Sequence, residues 1–241
     1  MIVRIKPKLI ALSFLLSITV SAFCQVTLPK LISDGMVLQR DADVKIWGWA
    51  SKGEKVSIHF IGSNYMTTAN PNGEWEVMLS DMKAGGPYEM QIEASNSITI
   101  KDILIGDVWV CSGQSNMGLS MGSLRDVYKD DIAHMDNPFI RQFFTFPGTN
   151  FKEREKDFRF GRWQHADSNS IRGLTAVGYF FAKSLYEKYK IPIGLISVSM
   201  GGSSAEAWIS EESIKAFPIY REQLQRFKVD GYIERINKPV S

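Results

Sequence analysis

The sequence predicts an α/β protein in two parts, a β-sandwich followed by a parallel sheet flanked by helices. Three observations carry that expectation. From residue 25 to 103, short apolar alternations of period two are separated by turn residues, with no helical period of useful length. After residue 103 the pattern becomes strand, helix, strand, which means a parallel sheet. Within it, an apolar run ends in a Gly-x-Ser turn, an arrangement that presents a hydroxyl at the carboxyl end of a buried strand.

Residues 1–24 precede both parts and read as a secretory signal peptide. Arg4, Lys6 and Lys8 give a basic start, Leu9 to Val20 an apolar core, and Ser21-Ala22-Phe23-Cys24-Gln25 a cleavage region. The expectation is export to the periplasm or the extracellular space. The apolar run is short for a hydrocarbon core of about 30 Å, which disfavours a membrane span. Phe23 in front of Cys24 disfavours lipoprotein anchoring there. Cys24 and Cys111 are the 2 cysteines, so cleavage leaves Cys111 without an intrachain partner. Its place in an apolar strand makes it a small core residue.

In the sandwich, Val44 and Ile46 share one strand face, and Val56, Ile58 and Phe60 another. Asn70-Pro71-Asn72-Gly73 is a turn, after which Trp75 and Val77 alternate with Glu74 and Glu76. Tyr88, Met90 and Ile92 continue the pattern after Gly85-Gly86-Pro87, and strands at this spacing argue for a sandwich. Beyond residue 103, Asp107 to Ser112 is a strand and Phe139 to Phe146 another. Leu174, Val177, Phe181 and Leu185 recur at three and four, so residues 174–189 are helical. Ile193 to Val198 is a buried strand that runs into Gly201-Gly202. The 241 residues are 44% hydrophobic and 22% charged, with a formal charge of +2. That balance gives no electrostatic case for nucleic acid or an acidic membrane surface.

The chemistry centres on Cys111-Ser112-Gly113-Gln114-Ser115-Asn116-Met117. Gly113 permits a tight bend, and amides at the start of the following helix can hold an oxyanion when Ser115 attacks an ester carbonyl. An ordinary strand-to-loop junction containing a serine is the plain alternative, since Gly-x-Ser is a short motif. Met117 occupies the position of the second glycine in Gly-x-Ser-x-Gly, which disfavours the α/β-hydrolase elbow.

Three regions, in order along the chain, resemble the sialate O-acetylesterases of the SGNH (GDSL-like) hydrolase superfamily. They are Leu31-Ile32-Ser33-Asp34-Gly35-Met36-Val37-Leu38-Gln39-Arg40 with Trp47-Gly48-Trp49-Ala50; the Ser115 block; and Ile191-Pro192-Ile193-Gly194-Leu195-Ile196 through Gly201-Gly202 to Ala205-Glu206-Ala207-Trp208-Ile209-Ser210. The resemblance implies a three-layer α/β/α domain of SGNH type over residues 104–241, present only as its N-terminal part. It implies that Ser115 is the nucleophile and that its own N–H and that of Gly202 or Gly201 contribute to the oxyanion hole. Gln114, Asn116, Glu206 and Trp208 would stand beside the substrate, an acetylated sugar or glycan, with no metal or organic cofactor.

A serine hydroxyl needs a base, usually a histidine oriented by a carboxylate. The resemblance places that pair in a late Asp-x-x-His block, which this chain lacks. The expectation is therefore an incomplete chain, its Asp–His pair lost or supplied by a separate C-terminal fragment. The 3 histidines each read otherwise. His59 lies in a sandwich strand, remote from the α/β part. His165 lies in a polar loop that could approach a crevice. His134 ends Asp131-Ile132-Ala133-His134, an Asp-x-x-His too early in the fold. None has metal-site spacing. A non-catalytic glycan-binding protein with a degenerate hydrolase part is the rival from another class. An esterase of acetylated xylan differs only in substrate.

Overall fold

A computed structural model describes residues 25–146, 148, 150 and 153–236. The signal-peptide reading and Cys24 lie outside these residues. The N-terminal part is a small sandwich. One layer is the antiparallel pair β2 (Val44–Trp49) and β5 (Glu74–Leu79). The other is an antiparallel sheet of β4 (Ser63–Thr68), β3 (Lys55–Phe60), β6 (Gly85–Glu93) and the first half of β7 (Ser97–Gly113). β1 (Val37–Gln39) adds in parallel to β7 at residues 104–106.

Period-two patterning fixes which side chains meet. Val56, Ile58 and Phe60 from β3 and Trp75, Val77 and Leu79 from β5 are buried in one cluster, while Glu74 and Glu76 stay exposed. Each fully buried aliphatic side chain here contributes about 1.5–3 kcal/mol. The turn before β5 is held by Asn70, whose Oδ1 accepts from the N–H groups of Asn72 (2.8 Å) and Glu74 (3.0 Å).

β7 is the structural spine. It pairs antiparallel with β6 as far as Ile105, then parallel with β10 (Ile193–Ser199) from Asp107 onward. One continuous strand thus crosses residue 103, where the sequence pattern changes. Gly106 sits at the handover, and a Cβ there would lie 1.9 Å from the Pro192 carbonyl oxygen. No larger residue fits without separating β7 from β10.

The second sheet runs β7, β10, β8 (Asp136–Thr145), β9 (Gly161–Asp167), with only the β8–β9 pair antiparallel. α3 (Ala176–Tyr189) packs on β10 and β8 through Ala176, Tyr179 and Ala182, against Leu195 and Ile140. Of the expected stripe Leu174, Val177, Phe181 and Leu185, Leu185 packs against this core and the middle pair does not. Leu174 is buried just before the helix, whereas Val177 and Phe181 are 49% and 39% exposed. Alanines at the contact let the helix approach the sheet closely, and that rotation carries Phe181 over Trp109 of β7 (centroids 5.1 Å apart).

The opposite face of β8 and β9 packs on the sandwich, with Phe143 and Trp163 joining its core. Arg141, only 2% exposed, pins the two parts together. Its Nη1 donates to the Gly35 carbonyl (3.0 Å) and the Asp102 carbonyl, its Nη2 to Asp102 Oδ1 (2.8 Å), and its Nε to the Pro138 carbonyl (2.9 Å). Burial lowers the Arg141 pKa and the Asp102 carboxylate opposes that; Arg141 is the buried half of the clamp and Asp102 its half-exposed partner.

Candidate functional site

Ser115 opens α1 (Ser115–Gly118), a single turn after the end of β7. Gly113 makes the bend with φ +148°, a conformation that side chains rarely adopt. The Ser115 side chain is exposed. The next parallel strand, β10, ends beside it: Ser199 is in register with Gly113, and Met200 N–H donates to the Gly113 carbonyl (3.0 Å). The chain then turns at Gly201 and Gly202, the latter at φ +76°. A Cβ on Gly201 would lie 3.6 Å from the Ser115 Cβ, so the double-glycine turn and the serine are neighbours. The first amides of a helix lack a carbonyl partner one turn earlier and are free to meet an anion.

A polar mesh ties the two loops together. Gln114 Nε2 donates to the Ser203 carbonyl. The Ser203 hydroxyl donates to the Met200 carbonyl (2.8 Å) and accepts from Trp208 Nε1 (2.9 Å). Trp208 ends a 3-10 turn, Ala205–Trp208, and is 41% exposed. Glu206 in the same turn accepts from the Tyr220 hydroxyl of α5 (Pro218–Phe227). Hydrogen bonds from Ser204 and Tyr220 hold its carboxyl down at about 2, well below the usual carboxylate range. Glu206 is thus a fixed anion that anchors α5 to the turn. Asn116 is exposed on α1.

Two clefts meet at Val198 and Ser199. One, of about 170 Å³, is lined by Gly118, Ser120, Gln142, Thr175 and Ser199. The other, of about 520 Å³, is more apolar and is lined by Phe146, Phe158, Arg159, Met200, Ser203 and Trp208. The sequence reading missed Phe146 and Phe158. Their signal lay in the aromatic residues clustered on either side of the charged stretch 153–157, which joins the cleft only through the fold.

The histidines stand elsewhere, and none lines either cleft. His59 is exposed on β3, 3.9 Å from Glu93. His134 follows α2 (Lys129–Ala133), where its Nδ1 lies 2.8 Å from the Asp130 carbonyl. Asp131 is paired with Lys183 (2.7 Å), so Asp131-Ile132-Ala133-His134 forms no dyad. His165 belongs to β9, correcting the expected loop, because its segment pairs along β8 opposite Arg141. Its Nε2 is 3.2 Å from Asp102 Oδ2, at the clamp joining the two parts. Cys111 is buried, and desolvation raises its thiol pKa, as suits a core residue. Among the described residues no group of His, Cys, Asp and Glu is placed to hold a metal ion.

These features define an α/β protein with an exposed serine at the carboxyl end of its parallel sheet, between two glycine-bearing turns. Comparison with known proteins makes the assignment specific. The profile of the family "carbohydrate esterase, sialic acid-specific acetylesterase" matches residues 105–236, and the chain belongs to that family. Sialate O-acetylesterase of Rattus norvegicus is 31% identical over 206 residues, covering 77% of this chain and 38% of that protein. The Homo sapiens protein of the same name is 30% identical over 203 residues, covering 77% and 39%. A carbohydrate acetylesterase from Xanthomonas citri has a similar solved structure, with TM-score 0.75, 34% identity, and coverage of 79% of this chain and 43% of that one. The chain thus spans about two fifths of the length of these relatives.

Proposed function

We propose that this protein acts as a serine carbohydrate esterase that removes O-acetyl groups from sialic acids or related acetylated sugars. Ser115 is the nucleophile: its oxygen attacks the acetyl carbonyl, the sugar alcohol departs, and water later releases acetate from the acetyl-enzyme. The N–H groups of Ser115 and of Gly202 or Gly201 stabilise the oxyanion in both steps. Gln114 and Trp208, linked through Ser203, hold the two loops in register, with Asn116 and Glu206 beside the sugar. The observation that carries this reading is the closeness of the double-glycine turn to the serine: a Cβ on Gly201 would stand 3.6 Å from the Ser115 Cβ. A glycan-binding protein needs no such juxtaposition.

The base is a separate matter. His59, His134 and His165 stand beside Glu93, the Asp130 carbonyl and Asp102, so an Asp–His pair on a further polypeptide segment completes the site in this proposal. The leader supports export to the periplasm or beyond; among the described residues no helix is long and apolar enough to cross a membrane. The test is acetate release from O-acetylated N-acetylneuraminic acid and from acetylated neutral sugars. Activity that survives Ser115→Ala refutes the nucleophile. For the 241-residue chain alone, turnover of p-nitrophenyl acetate is expected to be weak, and robust Ser115-dependent turnover contradicts the reading of the base.

A further inference from the structure

The 520 Å³ cleft beside Ser199 does not end at Phe158. Glu155, Asp157 and Phe158 also line a groove of about 190 Å³ that reaches Leu31 and Trp47. Trp47 and Lys156 in turn belong to a third groove, of about 330 Å³, on the outer face of the β2–β5 pair. Shared walls set the three side by side, from the end of β10 and Trp208 to the sandwich.

The far end of this row is built differently from a solvated sheet face. Strand alternation puts Trp47 and Trp49 on the outer side of β2, in register with Glu76 and Glu74 of β5. Both tryptophans are half-buried. Asn70 lies beside them, donating to Glu74 (3.3 Å). Trp75 belongs to the same lining, is 3% exposed, and its Nε1–H meets no hydrogen-bond partner among the described residues. Aromatic faces beside carboxylates and amides are suited to sugar rings, whose C–H faces stack while their hydroxyls take the polar groups.

Charge narrows the ligand. The ionised side chains along the row are mutually paired: Lys45 with Glu76 (3.1 Å), Lys156 with Glu74 (3.9 Å), Lys30 with Asp157 (3.0 Å) and Arg159 with Glu155 (3.3 Å). Each cation is already matched by a carboxylate, so the surface offers a run of sugar carboxylates no net positive charge, whereas neutral sugars need none. We infer that Trp47 and Trp49 form a distal saccharide subsite, linked through shared walls to the cleft beside Ser199 and Trp208, for neutral sugars of an acetylated oligosaccharide. The inference rests on the esterase reading for what lies at the near end, and extends it from a single acetylated sugar to a chain.

The test is binding, which needs no catalytic base. Partially O-acetylated xylo-oligosaccharides of two and six sugars, and an α2,8-linked sialic acid hexamer, are titrated calorimetrically into the 241-residue protein. The neutral hexamer is expected to bind about tenfold or more tighter than the dimer, a step of about 1.4 kcal/mol. Trp49→Ala should abolish that gain, Trp49→Phe restore most of it, and Glu74→Gln weaken the hexamer alone, with thermal midpoints confirming that each variant is folded. A hexamer bound no tighter than the dimer, a folded Trp49→Ala variant that keeps the gain, or a gain confined to the sialic acid hexamer overturns the proposal. Ser115-independent acetate release alongside an intact length gain would instead overturn Ser115 as the nucleophile and leave the subsite standing.

Discussion

Replacing Arg141 with alanine should be the most damaging single change outside the serine loops. The guanidinium is 2% exposed and bonds to the carbonyls of Gly35, Asp102 and Pro138 and to the Asp102 carboxylate. Truncation leaves these acceptors facing a hole between the sandwich and the second sheet. A buried acceptor left unsatisfied costs about 1–3 kcal/mol. Asp102 is 41% exposed on its side chain, so water recovers part of that loss. The net expectation is about 2–4 kcal/mol, chiefly from three carbonyls that lose their donor. With a urea dependence of about 2–3 kcal/mol per molar for a chain of this size, the unfolding midpoint should fall by roughly 1–2 M. Arg141→Lys should recover little, since an ammonium cannot span three carbonyls and a carboxylate as the planar fork does. Because β7 runs through both parts, the parent protein should unfold in one transition followed alike by tryptophan fluorescence and far-ultraviolet dichroism. A loss under about 1 kcal/mol, or two separated transitions in the parent, would refute the reasoning.

Gly106→Ala should destabilise by at least about 1–3 kcal/mol, as expected for an overpacked site, because its Cβ falls 1.9 Å from the Pro192 oxygen; thermal unfolding checks this. Among the described residues no strand pairs with the outer edge of β7 beyond Asp107, where Val110 is 69% and Trp109 45% exposed, so the chain is expected to self-associate, and Val110→Lys should shift sedimentation towards monomer without lowering the thermal midpoint. Glu206 titrates at about 2 in the folded protein against an ordinary 4.5. Its folded pKa is depressed, so its contribution is complete above the unfolded value and is lost as pH falls towards about 2. Glu206→Gln should therefore weaken the docking of α5 at neutral pH but not near pH 2, read from Trp208 fluorescence.

Much of this was legible in the sequence where local pattern and burial coincide. The β2, β3, β5 and β6 alternations, the Asn70 turn and the run into Gly201-Gly202 each express one face buried against one layer. The serine loop was legible because Gly113 and Ser115 lie within one turn of each other. What escaped depends on partners remote in sequence. Arg141 reads as a polar interruption of an apolar strand until Asp102 and Gly35 meet it across the two parts. His165 was assigned to a loop because Gln164, His165 and Asp167 mask the alternation of a strand whose two faces are both partly covered. The apolar stripe of α3 is rotated about the helix axis from the expected one, since Val177 and Phe181 suit either a buried face or the face over an open sheet edge. The aromatic walls of the clefts, Phe146 and Phe158, come together only when β8 and the segment before β9 close on the end of β10.

The decisive measurement is of the amides around the serine. An arylboronic acid forms a tetrahedral anionic adduct with an accessible serine, standing in for the oxyanion of ester attack. Titrated into isotope-labelled protein, it should move the backbone amide resonances of Ser115 and of Gly202 or Gly201 together, and move neither in Ser115→Ala. If those amides stay unmoved while the adduct forms elsewhere, or the glycine responds without the serine, the exposed hydroxyl at the end of β7 is not the centre of the site.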